Sequence, residues 1–390
     1  MTRLLIAALA AVALGVAPHQ IQPILPPAAA AELVTGLEHL GSFNIPDGTF
    51  GGPPNKGFNY GGTALGFNPK RNSLFMVGHD QDQLVAEVSI PELGGTAQVL
   101  QNFVDPTGGR ISAINPRDPN KKVIGGTLPW GDRLLVAAYS YYDGEGAQVL
   151  SHFERSTDLS DRSATGPMRI GPLGAGFYSG YMGVVPAEWQ EKLGGPALTG
   201  NAGISVISRS SYGPAAFAFD PERLTPQGAQ PLVYYPESDQ TLGRWDGVND
   251  YYGGSDTIRG VAIVPGTSTV LFFGRHGETF CYGPGTSDKG LADRRPEHGD
   301  PFCFDPTDSS KGVHGYPYSA YAWAYDANDL AAVRAGRRRP WSVKPYAVFK
   351  LPDTPAFVGG ATIDPATGRI YVSTLFGNQT LPVVHVFKAQ

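Results

Sequence analysis

The chain has 390 residues, a formal net charge of −5 and a pI of about 5.9. Its 51 glycines and 34 prolines exceed a fifth of the chain, where roughly 12% is usual, and only 17% of its residues are charged. With 18 Tyr and 19 Phe, this composition excludes helical bundles, collagens and disordered chains, and the lack of a basic stripe argues against a nucleic-acid partner. A compact, turn-rich, all-β protein remains.

Residues 1–30 are typical of a secretory signal peptide followed by a Pro- and Ala-rich leader. Arg3 precedes an uncharged run over residues 4–16, which is too short to span a membrane comfortably. Small residues near positions 17 and 31 offer two alternative cleavage sites. No later stretch of the sequence is long and apolar enough to cross a bilayer. We therefore expect a secreted or periplasmic protein that does not span the membrane, with one domain over residues 31–390.

Two stretches at opposite ends of the chain follow the same pattern. A segment ending in Pro-Asp (41–47 and 347–353) is followed by a Gly-Gly segment that ends in Asn-Pro or Asp-Pro (58–69 and 357–365), and then by an apolar run (73–77 and 368–373). The order in both is strand, loop, Gly-Gly strand, turn and strand, because Asn-Pro and Asp-Pro start hairpin turns. Such an internal repeat is typical of repeat architectures.

Weaker copies of the unit lie between these two stretches. Their first and second strands are expected at 125–132 and 133–139, 179–185 and 203–208, and 259–265 and 269–274. Third strands are expected at 84–90, 148–153, 215–219, 321–325 and 382–387. Fourth strands are expected at 97–103, 168–171, 231–235 and 345–351. Five units are thus expected, but a fourth strand is found for only four of them. Residues 38–45 supply the fourth strand of the remaining unit.

We therefore predict an all-β fold, a β-propeller with five blades of four antiparallel strands, closed by the N-terminal strand completing the last blade. Ring closure hides the sheet edges that five separate sheets would expose. Insertions are expected at about 186–201, with a short helix over 187–193, and at 284–311. Six or seven blades would need further strands, and a β-sandwich would not explain the repeat.

Two cysteines, Cys281 and Cys303, enclose about 22 residues. In an oxidising compartment they are expected to form a disulfide that stabilises a polar segment unable to bury much surface. Two unpaired thiols are the alternative, and no metal-binding spacing of the CxxC type is present.

In a propeller, the loops that lead into the innermost strands share one face with the turns between second and third strands. The catalytic residues predicted on that face are His79, His276, Tyr60 and Tyr178. The predicted substrate-binding residues are Arg275, Arg259, Arg209, Asp80, Tyr181 and Tyr212. Histidine can act as a general base near neutral pH, Arg can hold a carboxylate, and Tyr can stack on a sugar and pass a proton.

Each of these residues also has a structural interpretation. The histidines could be echoes of the repeat that serve turn geometry, and the tyrosines could pack between blades. Asp80 could cap the turn after His79. Arg259 could form a structural ion pair with Asp256.

In architecture the chain resembles secreted β-propeller carbohydrate-active enzymes, and Gly78-His79-Asp80, Gly274-Arg275-His276 and the nearby Tyr and Arg give it a likeness to the polysaccharide-lyase type. The likeness implies β-elimination at a uronate of an acidic polysaccharide, with Arg neutralising the carboxylate and His or Tyr moving protons.

Two other functions stay open. A propeller glycoside hydrolase would use two carboxylates among Asp80, Asp143, Glu145, Asp256 and Glu278. A non-catalytic propeller would bind carbohydrate or protein.

No cofactor is required by any of these three functions. The oxygen-rich stretches Asp246, Asn249, Asp250 and Asp256, and Asp305 with Asp308, leave a structural Ca²⁺ open, although neither has the spacing of an EF-hand. The metal dependence and the oligomeric state are not indicated by the sequence.

Overall fold

Most strands of this protein are short runs rich in β-branched and aromatic residues, with Gly, Pro, Asn or Asp at or shortly after their ends. A computed structural model describes residues 32–51, 57–203, 209–236 and 238–390. The predicted signal peptide, leader and cleavage sites lie outside the described residues, so the division at residue 31 stays a prediction. No helix of the described residues is long and apolar enough to cross a membrane.

The N-terminal part of the chain forms β1 (Leu37–Asn44) and two antiparallel sheets of four strands each, with the strands of each sheet in chain order. The first sheet consists of β2 (Thr63–Asn68), β3 (Ser73–Val77), β4 (Val85–Ser89) and β5 (Val99–Val104). The second sheet consists of β6 (Lys122–Trp130), β7 (Arg133–Ser140), β8 (His152–Ser156) and β9 (Ala164–Met168).

A third sheet of four strands lies in the middle of the chain. Its elements are β10 (Met182–Val184), α1 (Ala187–Leu193), β11 (Ala197–Thr199), β12 (Ala216–Phe219) and β13 (Gln230–Val233). Helix α1 ends at Gly194, which has a left-handed φ of 89°.

The C-terminal part forms an eight-stranded sheet and a small three-stranded one. In chain order its strands are β14 (Thr257–Ile263), β15 (Thr269–Gly277), β16 (Cys281–Thr286), β17 (Cys303–Phe304), β18 (Lys311–His314), β19 (Tyr318–Asp326), β20 (Ala347–Lys350), β21 (Val358–Ile363), β22 (Ile370–Asn378) and β23 (Leu381–Ala389). Helix α2 (Ala327–Arg334) follows β19, and its N-terminus is capped by Asp326. The small sheet contains β16, β17 and β18.

The eight-stranded sheet contains two four-stranded units, β14-β15-β19-β20 and β21-β22-β23-β1. They are joined by a single parallel pairing of Gly260 in β14 with Ala361 in β21. Strand β1 pairs antiparallel with β23 from Leu37 opposite Ala389 to Asn44 opposite Val383. The prediction that residues 38–45 pair with the last strand of the chain is confirmed.

Most of the predicted strands lie within a few residues of the observed ones, but two regions differ. The second strand of the third sheet is β11, inside the stretch predicted as an insertion, rather than residues 203–208, of which 204–208 lie outside the described residues. Because α1 and the Gly194-Gly195 turn reverse the chain at once, β11 follows the helix directly. Strands β8 and β9 are also displaced from the predicted 148–153 and 168–171.

The hydrophobic core lies between neighbouring sheets rather than in one central mass. Four clusters of buried residues each join side chains from two adjacent four-stranded units, and a fifth joins side chains from three. Phe75 of β3 and Val136 of β7, for example, belong to one cluster, and Phe272 of β15 and Ala218 of β12 to another. Burial between sheets explains the low charge content of the chain.

The first strands of the five four-stranded units contact one another. Strand β2 contacts β6 and β21, β10 contacts β6 and β14, and β14 contacts β21. Glycine allows these close approaches, because a Cβ atom at Gly260 would lie 2.5 Å from the backbone nitrogen of Ala361, and one at Gly360 would lie 2.7 Å from that of Leu65.

Gly260→Ala is expected to lower the free energy of unfolding by about 1–3 kcal/mol, because the backbone it meets cannot rotate away as a side chain could. Gly312→Ala in β18 is the matched control, since no heavy atom lies within 4 Å of its added Cβ. Urea denaturation of both variants measures the difference. Equal stability of the two variants would contradict the close contact of the first strands.

The small sheet is held by a disulfide. Cys281 and Cys303 are bonded, with their Cα atoms 5.6 Å apart, as the sequence predicted. Between them, residues 287–299 are mostly exposed, so this segment buries little apolar surface of its own.

Replacing both cysteines with Ala is expected to destabilise this hairpin by about 3 kcal/mol. The disulfide lowers the conformational entropy of the unfolded chain, and this raises the free energy of the unfolded state by about that amount. Because the hairpin is peripheral, the loss appears first as faster proteolysis within residues 282–302. Unchanged proteolysis in the double variant would show that the disulfide does not hold the hairpin.

Candidate functional site

The two predicted histidines lie at the ends of the second strands of their sheets. His79 follows β3 by two residues, and His276 is the penultimate residue of β15. A row of ring contacts connects their surroundings. The row, named here the aromatic arc, contains Tyr60, Phe376, Phe357 and Tyr318, with successive ring centroids 6.1, 6.3 and 6.0 Å apart. His79 lies 5.6 Å from Tyr60 at one end of the arc, and Arg275 lies over Tyr318 at the other.

Two rings of the arc are held outward by unusual backbone conformations. Tyr60 has a φ of 57° and Phe376 a φ of 59°, in the left-handed region that residues other than glycine rarely adopt. Both side chains are about half exposed. Large apolar rings held in a strained, exposed conformation are typical of ligand-binding surfaces.

His276 is oriented by a buried carboxylate. Its Nδ1–H donates to Asp256 Oδ2 at 2.8 Å, and its ring stacks on Tyr321 with the centroids 4.7 Å apart and the planes 10° from parallel. Asp256 also accepts the backbone N–H groups of Gly253 and Gly277 at 2.9 and 2.8 Å. Three contacts therefore hold the side chain of Asp256 in place.

The geometry leaves the second nitrogen of this imidazole available. No hydrogen bond to His276 Nε2 is found within the described ranges, and the side chain keeps 10% of its surface exposed. In the tautomer whose Nδ1–H faces Asp256, Nε2 carries a lone pair that is able to accept a proton.

Arg275 lies beside this histidine and rests on the aromatic arc. Its guanidinium carbon is 4.1 Å from the ring centroid of Tyr318 and 5.4 Å from that of Phe357. One terminal nitrogen donates to the carbonyl of Ser255 at 3.2 Å, and Nε is buried without a partner among the described residues. No hydrogen bond of the other terminal nitrogen is found among those residues, so that nitrogen is the one able to donate to an anionic ligand.

Tyr318 supports Arg275 and is itself fixed. Its hydroxyl donates to Asp305 Oδ2 at 2.7 Å, and the same oxygen accepts from His314 at 3.0 Å. Burial raises the pKa of Tyr318 to about 12, so its hydroxyl stays neutral near pH 7. The small three-stranded sheet thereby contacts Tyr318, the ring on which Arg275 rests.

Arg259 lies on the first strand of its unit and carries a second positive charge. It donates to the hydroxyl of Tyr139 at 2.9 Å and to the carbonyl of Ala202. Burial acts to lower the pKa of Arg259, but contacts with Tyr139 and with the charge of Asp80 more than offset burial and raise it. Within the described part of the chain it forms no ion pair, so the predicted structural pairing of Arg259 with Asp256 is wrong.

Asp80 and Arg209 are also on this side of the sheets. Asp80 is exposed and forms an ion pair with Lys121, while its backbone carbonyl accepts from Gln83 at 2.6 Å. Arg209 lines a small cavity with Tyr139, Tyr141 and Asn201, which places it on the Arg259 side of the face.

Three predicted tyrosines are in the core and not on the face. Tyr178 and Tyr181 are almost fully buried; the first donates to the carbonyls of Gly171 and Leu173, and the second to that of Ala215. Tyr212 is 5% exposed and donates to the carbonyl of Arg244. The catalytic role predicted for Tyr178 and the binding roles predicted for Tyr181 and Tyr212 are corrected: backbone carbonyls occupy their hydroxyls.

The carboxylates of the face are held by donors. Glu278 accepts from Ser319 at 2.6 Å and lies 3.5 Å from Lys350, and these contacts, led by Ser319, lower its pKa. Asp143 accepts the backbone N–H groups of Ala147 and Gln148 at 3.0 and 2.9 Å, which closes its own loop.

The oxygen-rich stretches predicted as an alternative Ca²⁺ site have other partners. Asp246 pairs with Arg244, Asp256 with His276, and Asp305 with His314 and Tyr318. Across the described ranges, no group of three or more His, Cys, Asp or Glu is placed to hold a metal ion.

Two important contacts were missed by sequence reasoning. The partner of His276 could have been found, because the hairpin of β14 and β15 pairs Thr257 with Arg275 and thus brings Asp256 beside His276. Tyr321 begins the third strand expected at 321–325 and Tyr318 lies before it, and their spacing along β19 gave no sign of which ring faces the histidine.

The chain matches no family model and no curated protein. Among solved structures it is similar to a native arabinanase of Bacillus subtilis, with 9% identity, 84% of this chain and 96% of that chain covered, and a TM-score of 0.45. It is also similar to an aldose sugar dehydrogenase of Streptomyces coelicolor in its PQQ-bound form, with 10% identity, 93% and 100% covered, and a TM-score of 0.38. A bifunctional GH43-CE protein of Bacteroides eggerthii gives 7% identity, 87% and 34% covered, and a TM-score of 0.39. With TM-scores below 0.5, these likenesses carry no assignment of fold or function.

Proposed function

We propose that residues 32–390 form a five-bladed β-propeller, with β1 completing the last blade, and that one face of it cleaves an acidic carbohydrate. The propeller is supported by five four-stranded units, by the mutual contacts of their first strands and by the pairing of β1 with β23. The observation that carries the function is the hydrogen bond of 2.8 Å between His276 and the buried Asp256, beside Arg275.

Arg275 and the aromatic arc that leads away from it suit a sugar chain that carries a carboxylate. The half-exposed rings of Tyr60 and Phe376 offer apolar faces of the kind on which sugar rings stack. One terminal nitrogen of Arg275 has no hydrogen-bond partner, and Arg259 lacks a carboxylate partner, in the described part of the chain. Arginine holds carboxylates with paired hydrogen bonds, and such contacts are stronger than neutral ones.

β-Elimination at a uronate uses these groups directly. Arg275 neutralises the carboxylate, and His276 Nε2 takes the proton from the carbon beside it. The electron pair of that C–H bond forms a carbon–carbon double bond as the neighbouring bond to the glycosidic oxygen breaks. That oxygen leaves with a proton from water, and the products are a reducing end and an unsaturated sugar.

Hydrolysis is a second candidate, because two partly exposed carboxylates flank the histidines. The side chain of Asp80 is 53% exposed next to His79, and that of Glu278 is 41% exposed two residues from His276. A hydrolase needs one of its two acids protonated, with a raised pKa. The contacts of Glu278, led by that with Ser319, lower its pKa, so in such a pair Glu278 would serve as the ionised carboxylate and not as the acid.

Incubation with alginate, polygalacturonate and a neutral glucan tests the proposal. Reducing ends together with the ultraviolet absorbance of an unsaturated product, from an acidic polymer only, would support elimination. Reducing ends without that absorbance would support hydrolysis. No cleavage of any of the three polymers at high protein concentration would overturn the proposed cleavage and leave a binding propeller.

A further inference from the structure

A second group of exposed rings lies beyond the His276 site. Trp245, Phe280 and Tyr282 are in contact, with the Trp245 ring centroid 5.6 Å from that of Phe280 and 5.9 Å from that of Tyr282. Trp245 is 38% exposed and Tyr282 is 42% exposed. These three residues are named here the aromatic platform.

The loop that carries Trp245 is fixed by its own hydrogen bonds. The Asn249 side chain accepts from the backbone N–H of Arg244 at 3.0 Å and donates to the carbonyls of Arg244 and Tyr252 at 2.7 and 3.0 Å. Arg244 and Asp246, on either side of Trp245, form two further hydrogen bonds at 2.9 and 2.8 Å. The indole is therefore held at the surface by a preorganised loop.

The platform is continuous with the proposed active site. The loop that presents Trp245 runs into Asp256, and the hydroxyl of Tyr252 donates to the Asp256 carbonyl at 2.8 Å. On the other side, Phe280 follows His276 by four residues along the same hairpin. The disulfide at Cys281 lies between Phe280 and Tyr282 and fixes the base of their strand.

We infer that the aromatic platform is a sugar-binding subsite that holds a distant unit of the same polysaccharide chain cleaved at His276. The inference rests on the proposed function. It follows from apolar rings on fixed backbone and from an indole N–H with no partner among the described residues, which can donate to a sugar hydroxyl. Lys311 lies 5.8 Å from the Tyr282 ring and Arg244 adjoins Trp245, but each is paired with a carboxylate, that of Asp300 and that of Asp246, so the rings and the indole N–H rather than these charges would hold the sugar.

The test compares chain lengths and variants. Trp245→Ala is expected to weaken binding of an oligogalacturonide of about six units by about 5- to 10-fold, the size of a ring contact, and to leave binding of a dimer unchanged. Val248→Ala is the matched control, because Val248 is exposed on the same loop but is not aromatic. Trp245→Phe should restore part of the affinity, since it keeps a ring and loses the N–H.

Calorimetric titration measures binding without requiring cleavage, so the outcomes separate the two claims. If Trp245→Ala weakens binding of the hexamer but not of the dimer, the subsite is supported, even if the protein cleaves none of the three polymers. Equal binding of the hexamer by Trp245→Ala, Val248→Ala and the wild type overturns the subsite, even if His276 is shown to act in cleavage. A change only in self-association, measured by sedimentation, also overturns it and assigns the rings to a protein contact.

Discussion

Asp256→Asn is expected to lower the rate of product formation by about 10²- to 10⁴-fold, the usual contribution of general acid–base catalysis. The amide nitrogen of Asn would donate to Nδ1 of His276, where the carboxylate now accepts at 2.8 Å. The imidazole proton would then sit on Nε2, and the base would lose its lone pair. Initial rates with the polymer that the wild type cleaves give the measurement.

Combining the changes separates this effect from a general loss of structure. Because Asp256 acts only through the imidazole, Asp256→Asn combined with His276→Ala should be no slower than His276→Ala alone. The thermal melting temperature of each variant is the structural control. If Asp256→Asn retains a rate within about twofold of the wild type while remaining folded, the assignment of His276 as the base is wrong.

Acid is expected to destabilise this protein between pH 6.5 and 4, before most of its carboxylates titrate. Burial lowers the pKa of His152 to about 3, and burial together with the adjacent charge of His39 lowers that of His385 to about 4. Both histidines are neutral in the folded state and take up protons more readily when unfolded. Their contribution is therefore complete above about pH 6.5 and is lost as pH falls towards the folded values.

Through His152 alone, the free energy of unfolding should be about 2 to 3 kcal/mol lower at pH 4.5 than at pH 7. The partly exposed His385 should contribute a smaller loss. His385 contacts His39 at 3.2 Å across the pairing of β23 with β1, so its protonation weakens the contact of the N-terminal strand. Urea denaturation at several pH values gives the slope of the free energy of unfolding against pH. His152→Gln should flatten the slope, and an unchanged slope in this variant would contradict burial of the neutral imidazole.

The repeat made most of the sheet structure predictable from sequence, because strand, turn and Gly-Gly signals recur in the same order. Strand β3 lies at residues 73–77 as expected, and β1 pairs with β23. Strand β11 was missed because it has three residues, too few to show alternation. Its position is set by α1 and the turn at Gly194, which only the folded chain reveals.

The site was predictable only where strand ends locate it. His276, Arg275 and Tyr60 lie where the pattern of second strands and loops suggested. Tyr178 and Tyr181 occur in an equivalent loop, but their rings turn into the core, because backbone carbonyls there accept their hydroxyl protons. A loop position predicts on which edge a residue lies, whereas its rotamer depends on packing from residues far away in the chain.

The most direct measurement is a crystal structure of the His276→Gln variant with a uronate trisaccharide, which keeps the shape of the site and removes the base. A sugar ring is expected on the aromatic arc, with its carboxylate bonded to Arg275 and its acidic C–H directed at residue 276. A trisaccharide bound only elsewhere, or a carboxylate facing away from Arg275 and residue 276, would contradict this expectation.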